Sequence, residues 1–146
     1  MSIKRPIGIV LALGLAFLVI KGISNNPPAG KASPEPDYPI SDATYEQVNA
    51  DVGCKSKFSD EKKEDIFNSK YKNHWMTWQG KAVIVEADKV ALNVDGIGTQ
   101  DISVTFMRKG DGYDLTKGSV MKVRFLMKSM GGCILPFGGV QALLTK

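Results

Sequence analysis

Two cysteines, one histidine and a thin scatter of cations and aromatic rings are what this 146-residue chain offers for chemistry. His74 is the only histidine, and no serine or cysteine motif stands beside it. Without those partners it forms no nucleophilic triad, and its place at a strand start predicts a surface or edge role. Cys54 and Cys133 each follow a glycine and neither lies in a Cys-x-x-Cys pair. No His/Cys/Asp group has the spacing of a zinc site. In an exported chain an even cysteine count predicts a disulfide. Closing a loop of about 80 residues is worth about 4 kcal/mol in the chain-entropy account. Asp95-Gly96-Ile97-Gly98 lacks the further carboxylates of a calcium loop, and Gly110-Asp111-Gly112 reads as a turn. The sequence therefore points to a binding protein, not an enzyme, with no catalytic residue, metal or cofactor expected.

Where the chain resides follows from Ile7 to Ile20, an uncharged apolar run placed directly after Lys4 and Arg5. Fourteen residues make about 21 Å of helix, short of the roughly 20 residues a bilayer core needs. That length suits a signal-peptide h-region. Lys21 can snorkel, and Pro6, Gly22 and Ile23 can lengthen the span. Residues 1–23 are accordingly expected to be an uncleaved transmembrane anchor, with a cleaved signal peptide as the alternative. Ser24 to Ile40 follows as a proline-rich linker, with five prolines in the sixteen residues before Ile40, a composition that holds neither helix nor central strand. Residues 41–146 remain for one small domain. The expected location is a bacterial cell envelope, with the domain outside the cytoplasm and tethered to the inner membrane or released into the periplasm.

Charge argues the same way. The chain carries a net +4, but Lys4, Arg5, Lys21 and Lys31 precede Ser33 with no acidic residue among them. Residues 34–146 hold 15 basic and 15 acidic groups. Phosphate neutralisation, the main source of non-specific nucleic-acid affinity, normally rests on a clear basic excess. The domain as a whole lacks one.

Two short helices open the domain. Thr44-x-x-Gln47 is a capping-box pattern that predicts a helix over 44–50, ending at Gly53. Ser59 predicts a second over 60–70, with Asp60 and Glu61 in its first turn and a narrow stripe of Ile66, Phe67 and Tyr71. From His74 the period changes to two. Strands are expected at 74–86, 90–94, 102–106, 119–128 and 137–144. Gly80 should mark a bend in the long first strand. Met121, Val123, Phe125 and Met127 should face inward, opposite Lys122, Arg124 and Leu126. In the last strand Val140, Ala142 and Leu144 should share a face. Arg108 to Gly118 is the main interruption, with room for one helical turn near Tyr113–Lys117.

Five strands with a long bent first strand and the main insertion after the third describe a mainly β, five-stranded OB-type barrel. Another small barrel, such as an SH3-like one, would carry its insertion elsewhere. Trp78 to Val83 (WQGKAV), preceded by Asn68 to Asn73 (NSKYKN) and followed by Lys117 to Val123 (KGSVMKV), resembles the tRNA-anticodon-like OB-fold family, which includes small exported bacterial proteins. The resemblance covers roughly 44–146 and rests on fold-determining motifs. It implies an OB barrel and, through the family name, nucleic-acid binding.

OB barrels usually bind through the strand 2–3 face and the loops between strands 1–2 and 4–5. The candidate ligand residues there are Trp75, Trp78, Lys89, Asn93, Arg108, Lys109 and Arg124. Trp75 and Trp78 fall on opposite faces of one strand, so one should fill core. Strand two has no aromatic and strand three only an inward Phe106, so the stacking row of single-strand binders is missing. The expected partner is an envelope protein or oligosaccharide, with single-stranded DNA or RNA second.

Overall fold

The computed structural model describes residues 36–146. The expected anchor or signal segment, and most of the linker, lie outside the described residues. The described chain is one compact unit. Its elements are α1 (Tyr45–Val52), α2 (Asp60–Lys70), β1 (Trp75–Val85), β2 (Lys89–Asn93), β3 (Ile102–Phe106), β4 (Val120–Ser129) and β5 (Phe137–Thr145). Among the described residues no helix is long and apolar enough to cross a membrane.

Both helices start as their sequences dictate. The Thr44 hydroxyl accepts from the Gln47 amide at 3.3 Å, and the Gln47 side chain accepts from the Thr44 amide at 2.9 Å. The Ser59 hydroxyl accepts from Lys62 N. These bonds satisfy amide donors that have no partner within a helix's first turn. Phe67 and Tyr71 are buried, while the charged face of α2 stays in solvent.

The strands close in the order β1-β2-β3-β5-β4, with β4 returning to β1. All pairs are antiparallel except β3 with β5. This is the OB-type arrangement. Closure depends on β1, which pairs with β4 from Trp75 to Lys81 and with β2 from Lys81 to Val85. Gly80 sits at that handover. A Cβ there would lie 2.6 Å from the Asn93 carbonyl oxygen and 3.1 Å from the Leu92 Cβ, so only glycine lets the two strands approach this closely. Inside, Trp78, Met76, Val123, Phe125, Met127, Val104 and their neighbours form one core that α1 and α2 extend with Val48, Val52 and Phe67. The described unit holds a barrel core of its own and its own disulfide. We take it as able to fold without the preceding segment.

Three expectations need correction. Leu126 is buried, not exposed beside Arg124. The β4–β5 ladder slips register between Arg124 and Leu126. On its other side Leu126 meets Trp75, to which Pro39 and Ser41 hydrogen-bond. In β5, Ala142 is buried but Val140 is only partly so and Leu144 is 44% exposed. The cause is a register break between Gly139 and Ala142 at which Gln141 takes φ 54°. One extra residue in a strand reverses the faces beyond it. Residues 107–119 form successive turns without a helix, closed by i→i+3 bonds such as Tyr113 N to the Gly110 carbonyl.

Gly80→Ala should therefore destabilise the domain by about 2 kcal/mol through overpacking. Gly132→Ala, where a Cβ meets nothing within 4 Å, should be close to neutral. Thermal melts of both variants test this, and equal melting temperatures would contradict the assigned role of Gly80.

Candidate binding surfaces

One end of the barrel is plugged by α1. Tyr45 meets the Trp78 ring edge-on at 5.5 Å and the Phe137 ring at 6.2 Å, and Trp78 in turn meets Phe125 at 5.3 Å. Such edge-to-face pairs add a modest preference to the area they bury. The Trp78 indole N–H donates to the Ala43 carbonyl at 2.9 Å, just ahead of the helix. Trp78 is thus a core residue that fixes α1, and Trp75 is the half-buried member of the pair.

From this plug the contacts run outward to the loops. The Tyr45 hydroxyl donates to Asp101 Oδ1 at 2.8 Å. The other oxygen of Asp101 accepts from Val94 N at 2.6 Å and Asp95 N at 3.2 Å. Asp101 is one of two buried polar residues in the described chain. Burying a carboxylate is costly unless donors surround it, and here three do. The loop between β2 and β3 is held further by Asn93, which donates to the Ile97 and Gly98 carbonyls and accepts from Gly96 N. Asp95 accepts from Ile97 N at 2.8 Å. Gly96 and Gly98 supply the positive φ angles of 78° and 73° that this tight loop requires.

The loop between β4 and β5 is held covalently. Cys54, just after α1, is bonded to Cys133 across 79 positions. Gly132 N donates to the Leu135 carbonyl to close the turn. Between the two loops and the end of α1 lies a cleft of about 340 Å³. Its floor includes Tyr45, Asp101 and Phe137, and its rim carries Ile97, Ile134 and Leu135. Those three aliphatic side chains are 70%, 91% and 72% exposed. Single exposed aliphatics are ordinary, and here three of them line one cleft.

The seven residues expected to bind ligand do not converge. Trp78 is in the core, and Asn93 is occupied with its own loop. Lys89 pairs with Glu86 at 3.5 Å and Arg108 with Asp111 at 3.3 Å. Lys109 lies beside Asp88 and Tyr113 around a separate cleft. Only Trp75 and Arg124 meet, with the guanidinium 4.8 Å from the ring centroid. Among the described residues His74 touches the Lys72 carbonyl and no acid or nucleophile. Among the described residues no group of three or more His, Cys, Asp or Glu side chains could hold a metal ion. The chain matches no known protein-family model, no curated protein and no solved structure.

Two phenols carry the electrostatic signature of this packing. Burial, and then the bond to Asp101, raises the Tyr45 phenol well above its usual range. Burial, and then the bond to Asp51, does the same for Tyr71, whose hydroxyl donates to Asp51 Oδ2 at 2.6 Å. A folded-state pKa above the unfolded one contributes stability below the unfolded value, near 10.0 for tyrosine, and that stability is lost as pH climbs beyond it. Unfolding free energy should fall as pH rises past about 10, and less steeply in Tyr45→Phe. That variant should also lose about 1–2 kcal/mol at neutral pH, because Asp101 keeps only two donors. Denaturant melts across the alkaline range measure both effects. A wild-type stability that stays level there would contradict the assignment.

Proposed function

We propose that this chain is an exported, membrane-tethered binding module that contacts another protein of the cell envelope through the disulfide-locked end of its barrel. The observation that carries the reading is the rim of Ile97, Ile134 and Leu135. Each is in water, and each sits on a loop whose base is fixed by the disulfide, by Asn93 or by Asp101. Holding a binding loop in place beforehand removes part of the ordering cost of association. Export is supported by the apolar run at Ile7–Ile20 and by the disulfide, which fits an oxidising compartment. A protein suits this rim better than an oligosaccharide, because the rim is aliphatic and the aromatic rings of this end are packed inward.

A second reading, single-stranded nucleic acid on the outer wall of β1 and β4, is favoured by one feature. β1, β4 and β5 contain four cations and no carboxylate. Against it, the only outward aromatic on those strands is Trp75, and Arg124 already lies over that ring. The resemblance to the tRNA-anticodon-like OB-fold family supports the barrel and leaves the ligand open.

A photo-crosslinking residue placed at Ile97 in the full chain should give a discrete adduct in intact cells. Adding Ile134→Ser and Leu135→Ser should lower its yield by about tenfold while the domain still melts as the parent does. No adduct above background, or an adduct indifferent to the two serines, would overturn the reading.

A further inference from the structure

The domain is nearly neutral in sum but its carboxylates are unevenly placed. In the described chain residues 42–65, around α1 and α2, hold seven carboxylates, Asp42, Glu46, Asp51, Asp60, Glu61, Glu64 and Asp65, with four lysines among them, and Asp37 lines a cleft with Trp75 and Arg124. The three adjacent strands β4, β1 and β5 hold no carboxylate. On the outer face of β1 and β4 the register sets Gln79 against Lys122, Thr77 against Arg124 and Lys81 against Val120. Lys128 follows on the same face of β4 and lies 5.1 Å from the Tyr38 ring. Lys117 and Lys146 flank the wall in the clefts beside Val120. None of the described ion pairs uses Lys81, Lys117, Lys122 or Lys146. The wall therefore presents Lys81, Lys122, Arg124 and Lys128 with no carboxylate on its own strands, and Asp37 stands at its edge beside Arg124.

We infer that this wall is a docking surface for the anionic phospholipid headgroups of a membrane. Charge complementarity is the first argument. Cations near an anionic bilayer surface each add a favourable increment. The second is what stands among the cations. Ile40 and Val120 are 71% and 67% exposed, and aliphatic side chains beside lysines suit a lipid interface. A nucleic-acid surface would instead present open ring faces, and the ring of Trp75 is covered. The third is where the chain enters. Trp75 N donates to the Pro39 carbonyl and Ser41 N donates to the Trp75 carbonyl, so the segment arriving from the apolar run joins the fold at the edge of this wall. Fifteen residues separate Ile20 from Pro36, a reach of at most about 50 Å. The last argument rests on the reading of Ile7–Ile20 as a membrane anchor, and the first two do not. A transmembrane anchor already holds the chain at the bilayer. The wall then sets which face of the domain meets the lipid, so that the cleft at the α1 end stays open to its protein partner.

The test uses the domain 36–146, free of the apolar run, in co-sedimentation with vesicles. We expect binding to phosphatidylglycerol-containing vesicles, none to pure phosphatidylcholine, and a steep fall with salt. Lys81→Glu with Lys122→Glu, both exposed, should weaken it by about tenfold or more. Lys57→Glu with Lys62→Glu, the same change of charge at the helical end, should leave binding within about twofold. Failure to bind anionic vesicles, or binding that tolerates the Lys81 and Lys122 reversals, would overturn the inference. So would tighter binding to single-stranded DNA than to vesicles, which would make the wall a nucleic-acid surface. The anchor is tested separately by alkaline carbonate extraction of membranes carrying the full chain. Release of the protein there counts against the anchor and leaves the vesicle result intact.

Discussion

β1 has to hydrogen-bond to two different strands along one length, and the rest of the domain follows from how it manages this. The change of partner falls at Gly80 and Lys81, where the backbone passes within van der Waals contact of β2. A strand bent there can serve both halves of a barrel, so no edge is left open between them. The residues before the bend then alternate into the barrel, which puts Met76 and Trp78 in the core and Trp75, Thr77 and Gln79 on the wall. Trp78 is large enough to reach the end of the barrel. There it takes the edge of Tyr45 and bonds to the backbone just ahead of α1. The helix that plugs the barrel is thus positioned by the strand that closes it.

The loops inherit their order from that plug. Tyr45 reaches Asp101, Asp101 holds the start of the β2–β3 loop, and Cys54 at the far end of α1 carries the β4–β5 loop. The two loops therefore report on one short helix. A surface that must keep aliphatic side chains in water without collapsing onto itself needs such supports, because water favours folding them inward. The arrangement also separates two surfaces. The aliphatic rim lies at the α1 end, and the cations of the wall lie on β1 and β4.

Much of the fold was legible in the sequence. All seven elements fall within a few residues of their expected positions, because the capping residues Thr44 and Ser59 and the change of period at His74 are local signals. Gly80 and the cysteine pair were legible for the same reason. Each is a residue type with few uses in such a place. The faces of β4 and β5 beyond their register breaks were not, since nothing in a run such as Val140-Gln141-Ala142 announces that Gln141 will take a positive φ. Asp101 reads as a loop residue and became a buried acceptor only because Tyr45, 56 positions away, reaches it. The candidate ligand residues were chosen by strand number, and three of the seven, Lys89, Asn93 and Arg108, are committed to neighbours in their own turns. The cationic wall escaped notice because charge was summed along the chain, whereas β1, β4 and β5 are neighbours only in the closed barrel.

The central claim is that the α1 end is held ready by locks that the barrel itself does not need. Amide hydrogen exchange on the domain, before and after reduction of Cys54–Cys133 under native conditions, tests it directly. The account predicts that reduction speeds exchange at 130–136 and at the end of α1, while the β1–β4 ladder, though less protected by the lost loop-closure stability, remains the slowest-exchanging part of the domain. Unchanged exchange in that loop, or a ladder that exchanges as fast as the loop, would contradict it.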